Sequence, residues 1–213
     1  MLNLSVMNIL KYFLIILIPP VLILGNFRYL VFNFDFYQML YQKTGVYQSF
    51  DSQQVVDATK NLFGYFKDQN QLDSGFYSEQ AMLHLADVKA TLRFTFGFFY
   101  LLFSAVAILS LVMIIKKFAR VLIWSYFVSS ALTVAGILLL ALGVFNFFDA
   151  AFLKFHQGFF TNNLWQFPPN DNLIKLFPRE FFVEFANRLA VNIALTSLAI
   201  AFASAVSLKR ISR

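Results

Sequence analysis

The chain has 213 residues, of which 59% are hydrophobic, 19% aromatic and 13% charged, and 29 are phenylalanine. Soluble domains carry about 25% charged residues, so a soluble enzyme and a disordered chain are excluded, and the lack of cysteine removes disulfide scaffolds and thiolate sites. The formal net charge of +6 comes from bases flanking apolar runs, which signals membrane topology and no nucleic-acid partner.

A helix crossing a bilayer core needs about 20 mostly apolar residues. The first such stretch is residues 11–32. It has 16 uncharged residues between Lys11 and Arg28, and snorkelling of either base lengthens it. Pro19 and Pro20 in its middle predict a kink. No small-residue cleavage site follows Leu24-Gly25-Asn26-Phe27, so the stretch is read as a retained anchor rather than a signal peptide.

Residues 33–93 read as short helices on one side of the membrane. Asp51 has the character of an N-cap, with Gln54 at the third helical position. Val55, Thr59, Leu62, Phe63 and Phe66 then recur at helical spacing and predict one apolar face. Residues 67–75 are rich in turn formers and end that helix. A further helix is expected to start at Ser78, with Glu79 favourably placed for its dipole. It should run unbroken into the second span, residues 94–115, whose 22 uncharged residues make about 33 Å of helix.

The third span, residues 121–148, has 28 uncharged residues and is expected to stand above the hydrocarbon or to tilt. Residues 149–188 carry Pro168, Pro169 and Pro178 among aromatics. They suggest an interfacial or re-entrant loop followed by a helix entering the fourth span, residues 189–208. The expectation is one domain over 1–213: an all-α membrane protein with four transmembrane helices and a small extracytoplasmic cap of short helices and loops.

Orientation follows from the bases. Lys11, Lys116, Lys117, Arg120, Lys209, Arg210 and Arg213 lie on one side with no acid among them. The other side holds ten bases and all 11 acids. The positive-inside rule puts both termini in the cytoplasm and the segments 33–93 and 149–188 outside, with a site at the outer leaflet.

The two histidines fall on that outer side. His84 lies ten residues before the second span and His156 eight residues after the third. Histidine transfers protons in both directions near neutral pH. Asp87 shares a helical face with His84 and is placed to accept a ring N–H. Asp149 lies two turns before His156 if the third helix extends that far. A lone interfacial histidine more often binds a lipid phosphate or a carbonyl; two beside carboxylates on the same side bring acid–base chemistry level with that reading. The H-E-x-x-H spacing of zinc enzymes is absent, as are a G-x-S-x-G elbow and a phosphate-binding glycine loop, so no metal or cofactor is expected.

Two motifs carry a resemblance. The run Glu79 to Lys89, ending His84-Leu-Ala-Asp87-Val-Lys89 before a span, is the first. The second is Phe155-His-Gln-Gly-Phe-Phe-Thr-Asn-Asn-Leu-Trp165, continuing to Asp171, Leu173-Ile174 and Pro178-Arg-Glu-Phe-Phe182. Together they resemble the lipoprotein intramolecular transacylase family of low-GC Gram-positive bacteria, over nearly the whole chain. The resemblance implies that His84 and His156 are the essential histidines, and helical spacing offers Asp87 and Asp149 in support. It implies a diacylglyceryl-modified lipoprotein in the membrane lipid as substrate. The reaction would move the sn-2 acyl chain to the α-amine of the N-terminal cysteine and give a lyso-form lipoprotein.

The physical chemistry suits that reaction. Ester to amide is downhill, so no nucleotide is needed. Nucleophile and electrophile belong to one substrate, so orientation can supply roughly 7–11 kcal/mol and a positioned base about 10²–10⁴-fold. Competing readings are an ester hydrolase using the same histidines, an intermolecular N-acyltransferase, and a non-catalytic membrane subunit that binds a partner. The sequence sets no oligomeric state and does not say which histidine is the base.

Overall fold

The computed structural model describes residues 4–211, so Arg213 lies outside the described residues, as do the side chains of residues 4, 5 and 141–146. Among the described residues the order is α1 (Leu4–Val31), α2 (Phe34–Lys43), a 3-10 turn (Val46–Gln48), α3 (Ser52–Phe66), α4 (Glu79–Ile115), α5 (Ala119–Phe159), α6 (Asn172–Leu176) and α7 (Arg179–Ile211). The helices α1, α4, α5 and α7 are each long and apolar enough to cross a membrane. The chain divides into two compact units, Met1–Arg28 with Thr95–Gly143 and Leu189–Arg213, and Tyr29–Phe94 with Val144–Arg188.

The first unit is built from the apolar lengths of the four long helices. Leu14, Ile18, Val106, Met113 and Leu122 form its buried core, with Leu17, Val21, Leu109 and Tyr126 packed on it. Large apolar side chains such as Ile16, Leu101, Leu139 and Phe202 point outward, as expected where lipid tails replace water. Polar groups join helices: Ser110 and Tyr126 meet at 3.1 Å and Asn26 donates to Thr196 at 3.1 Å. Lys11 stands over the Trp124 ring at 4.8 Å, an aromatic contact suited to a base beside an apolar run.

The proline pair does not interrupt the first span, because α1 is a continuous helix from Leu4 to Val31 with Pro19 and Pro20 inside it. Pro19 cannot donate to the Ile15 carbonyl, and that loss normally weakens a helix. Here the buried Ser129 hydroxyl of α5 reaches the Ile15 oxygen at 3.3 Å and the Leu14 oxygen at 3.5 Å. A neighbouring helix thus supplies the missing donor, the usual remedy in a bilayer.

The turn from α4 to α5 is tight. The Lys117 amide donates to Ile114 and the Phe118 amide to Met113, with Lys117 at φ 60°. This is a Schellman closure, sealed by Phe118 packing on the core that contains Met113. The third span also continues further than its apolar run. α5 passes through Phe147 with non-helical φ −134° and ψ 32° and goes on to Phe159, so the long run is accommodated by a break near its end.

The second unit rests on aromatic side chains. Tyr37 packs edge-on against Phe63 at 4.9 Å and Phe181 at 5.2 Å, and Tyr41 stacks on Phe181 at 5.5 Å. Two buried tyrosine hydroxyls of this unit find partners: Thr59 donates to Tyr41 at 3.1 Å, and Tyr77 donates to the Ala58 carbonyl at 2.9 Å. α3 begins as its sequence predicts, with Asp51 accepting from the Gln54 amide at 2.9 Å. Its face of Val55, Thr59, Leu62 and Phe63 is buried, while Phe66 is half-buried.

The turn after α3 folds back on the helix. Asn61 donates to the Gln71 carbonyl and accepts from the Asp73 amide, both at 3.0 Å. A Cβ on Gly64 would lie 1.7 Å from Asn70 Oδ1, so only glycine admits this approach. α4 then starts as expected, with the Ser78 hydroxyl accepting from the Ala81 amide at 3.1 Å. Asp68 pairs with Lys89 at 2.9 Å and with Arg93, tying the turn to α4.

Candidate active site

The site residues all belong to the second unit. His84 sits in the first turns of α4, and His156 one turn before the end of α5. Their ring centroids lie 6.2 Å apart at an interplanar angle of 29°. Both are buried, at 7% and 8% exposure. The sequence separates them by 72 positions, and the fold brings them face to face.

Aromatic rings enclose the pair. Phe160 contacts both imidazoles, at 5.0 Å from His84 and 5.6 Å from His156. Phe167 lies 5.6 Å from His84, and Trp165 lies 5.0 Å from His156. Phe152 packs on His156 at 4.2 Å. Such surroundings disfavour an imidazolium.

Burial pushes His84 down to about 4, with the facing His156 ring acting in the same sense and Asp87 opposing. Burial also lowers His156, and its bond to Phe152 works against that shift. Both groups precede or follow the apolar spans, and Lys89 and Arg93 stand between His84 and residue 94. At neutral pH both rings are therefore uncharged.

His156 Nδ1 lies 2.8 Å from the Phe152 carbonyl oxygen, one helical turn earlier. A carbonyl only accepts, so Nδ1 carries the proton and Nε2 keeps its lone pair. His84 Nδ1 is buried and meets no protein partner. Two neutral imidazoles among shared aromatic rings, one with a fixed tautomer and one with an unengaged nitrogen, can accept a proton from one substrate atom and return one to another.

The carboxylates are placed differently from the sequence expectation. Asp87 does share the His84 face, but its Oδ2 accepts from Asn162 Nδ2 at 2.9 Å. Asp149 binds Arg179, its Oδ1 accepting from Nε at 2.5 Å and its Oδ2 from the terminal nitrogen at 3.1 Å. Seven helical residues rise about 10 Å, so a carboxylate at 149 falls short of a ring at 156. A backbone carbonyl, not a carboxylate, sets the His156 tautomer. The pattern also missed Gln80, four residues before His84, and Asn162, which both act on the segment carrying Trp165. Among the described residues no three His, Cys, Asp or Glu side chains converge as a metal would require.

The chain is similar to an uncharacterized protein of Aquifex aeolicus, 32% identical over 110 residues, or 51% of this chain and 47% of that protein. The chain thus matches about half the length of that curated relative. Its fold is similar to the in meso structure of the membrane integral lipoprotein intramolecular transacylase Lit from Bacillus cereus, with a TM-score of 0.87 at 19% identity over 99% of both chains. A structure of the same Bacillus cereus protein with one histidine substituted has a TM-score of 0.82 over 98% of this chain and 96% of that one, again at 19% identity. At that identity the likeness shows the fold: an all-helical, multi-pass membrane protein. The family model described as "Lipoprotein intramolecular transacylase Lit" matches residues 12–182, a length that takes in both histidine motifs, and the chain belongs to the lipoprotein intramolecular transacylase family.

Proposed function

We propose that the chain performs the reaction that names its family on a diacylglyceryl-modified lipoprotein, with His84 and His156 moving the protons. His156 Nε2 takes a proton from the α-ammonium of the N-terminal cysteine. The freed amine attacks the sn-2 ester carbonyl, and the His84 ring donates to the oxygen on which charge develops. The carbon–oxygen bond then breaks, the glycerol oxygen takes one of the two protons that the nitrogen gives up in all, the other leaves to solvent, and an amide replaces the ester. No water, nucleotide or protein nucleophile enters. The observation that carries this reading is the buried pair of neutral rings 6.2 Å apart, with His156 held in the tautomer a base requires. The bases gathered at Lys116, Lys117 and Arg120 support a site at the outer leaflet.

Conservation of atoms supplies the test. A purified diacylglyceryl lipoprotein treated with the protein in detergent should keep its intact mass while its α-amine stops reacting with amine reagents. His84→Ala and His156→Ala should each lower turnover about 10²-fold or more while the protein still melts cooperatively. Loss of an acyl mass would instead show a hydrolase, and gain of one an intermolecular N-acyltransferase. An unchanged mass with a free amine would favour a non-catalytic subunit.

A further inference from the structure

Gln80, His84 and Asp87 share one face of α4, at spacings of four and three residues. His84 meets His156. Its two neighbours on that face both hold the segment 160–167. Gln80 Nε2 donates to the Leu164 carbonyl at 3.0 Å and to the Gln166 carbonyl at 2.8 Å. Asp87 Oδ2 accepts from Asn162 Nδ2 at 2.9 Å.

Asn162 then organises the segment itself. Its Oδ1 accepts from the Leu164 amide and its carbonyl from Trp165 Nε1, each at 3.0 Å. The segment presents Phe160, Trp165 and Phe167 to the two imidazoles, at 5.0–5.6 Å between centroids. α4 therefore carries one histidine and also grips, on either side of it, the cover over both histidines.

We propose that Gln80, Asp87 and Asn162 are positioning residues that hold this aromatic cover closed, and that the closed cover keeps water from the acyl group so that the chain transfers it rather than hydrolyses it. The inference rests on the transacylation proposed above. In the productive reaction the ester carbon–oxygen bond breaks and a carbon–nitrogen bond forms; of the two protons the ammonium gives up, one ends on the glycerol oxygen and the other leaves to solvent. With the cover open, water takes the place of the amine: the same ester bond breaks, a free fatty acid leaves, and the α-amine stays free. Both paths use the same histidines, so their ratio depends on which nucleophile reaches the carbonyl. An oriented amine has an effective molarity far above that of bulk water, on the order of 10⁵–10⁸ M, provided the pose is held and water is excluded.

A charge swap separates this role from a merely structural one. Asn162→Asp sets a second carboxylate against Asp87 and should open the cover. Adding Asp87→Asn restores one amide facing one carboxylate and should close it. On the diacylglyceryl lipoprotein, Asn162→Asp should raise the hydrolysed share, read as loss of one acyl mass with release of fatty acid, at least 10-fold over wild type. The double variant should return to the wild-type ratio. With Trp124→Phe removing the other tryptophan, Trp165 emission should shift to the red in the single variant and revert in the double. Should Asn162→Asp fail to fold, Gln80→Ala should move both readouts the same way.

An emission shift with an unchanged ratio of products would overturn the water-excluding role. No emission shift would overturn the hold on the cover. Wild type that leaves the amine free would sink the transacylase reading instead, and the emission measurement, which needs no substrate, still decides the hold.

Discussion

Burial acts on both imidazoles in one direction, and the consequence is a stability that depends on pH. In the unfolded chain a histidine titrates near 6.5. In the folded chain His84 is pushed down to about 4, and His156 is lowered as well. Between the unfolded and folded values the unfolded state binds more protons, so stability rises with pH. It is complete above about 6.5 and declines as the pH falls toward 4. These are the chain's two histidines, so the whole histidine-linked slope comes from this site. Wild type in detergent should lose melting temperature from pH 7 to 5, and His84→Gln with His156→Gln should flatten that decline. An equal decline in the double variant would place the proton uptake elsewhere. The residue types of this site were legible in the sequence, because two histidines in two motifs on one side of the membrane are a short list. Their partners were not. Asp87 finds Asn162 from 75 residues away, and His156 answers to a backbone oxygen that no side-chain pattern reports.

At the scale of elements, the sequence predicts best where length alone decides. Helices of 22 or more apolar residues have few alternatives in a bilayer, where each unsatisfied backbone group costs several kcal/mol. The Asp51 cap and the start of α4 at Ser78 were equally readable, since each needs only residues within one turn. The surroundings of the proline pair in α1 were unreadable for the opposite reason. The Ile15 carbonyl that Pro19 leaves without a donor is met by Ser129, 114 residues away. That contact carries a prediction. Ser129→Ala leaves the Ile15 carbonyl without a donor in an apolar interior. Polar contacts between membrane helices are worth about 0.6 kcal/mol on average and up to about 1.7, so the variant should be destabilised by about 0.5–1.5 kcal/mol in reversible unfolding from detergent. Turnover should stay at the wild-type level, since Ser129 belongs to the other compact unit. A variant as stable as wild type would mean that the helix tolerates the two prolines without help.

At the scale of the whole molecule, connectivity and charge together predict an orientation. Four crossings joined in sequence put the α1–α4 and α5–α7 connections on one side and the α4–α5 turn on the other. Lys116, Lys117 and Arg120 crowd that turn, and short basic connections stay in the cytoplasm. The acids weigh little in that balance, because translocation discriminates against bases far more than against carboxylates. The chain has no cysteine, so single thiols report without background. Ser74→Cys, Asn170→Cys and Lys117→Cys replace exposed side chains, one in each connection. In intact cells an impermeant thiol reagent should label positions 74 and 170, and it should reach position 117 only after permeabilisation. The opposite pattern would invert the protein and place its histidines on the cytoplasmic side, where a substrate displayed on the outer leaflet could not reach them. Labelling at 74 but not at 170 would instead mean that α5 or α7 fails to cross. Because the proposed substrate lies on one leaflet only, this measurement bears on the chemistry as directly as it does on the topology.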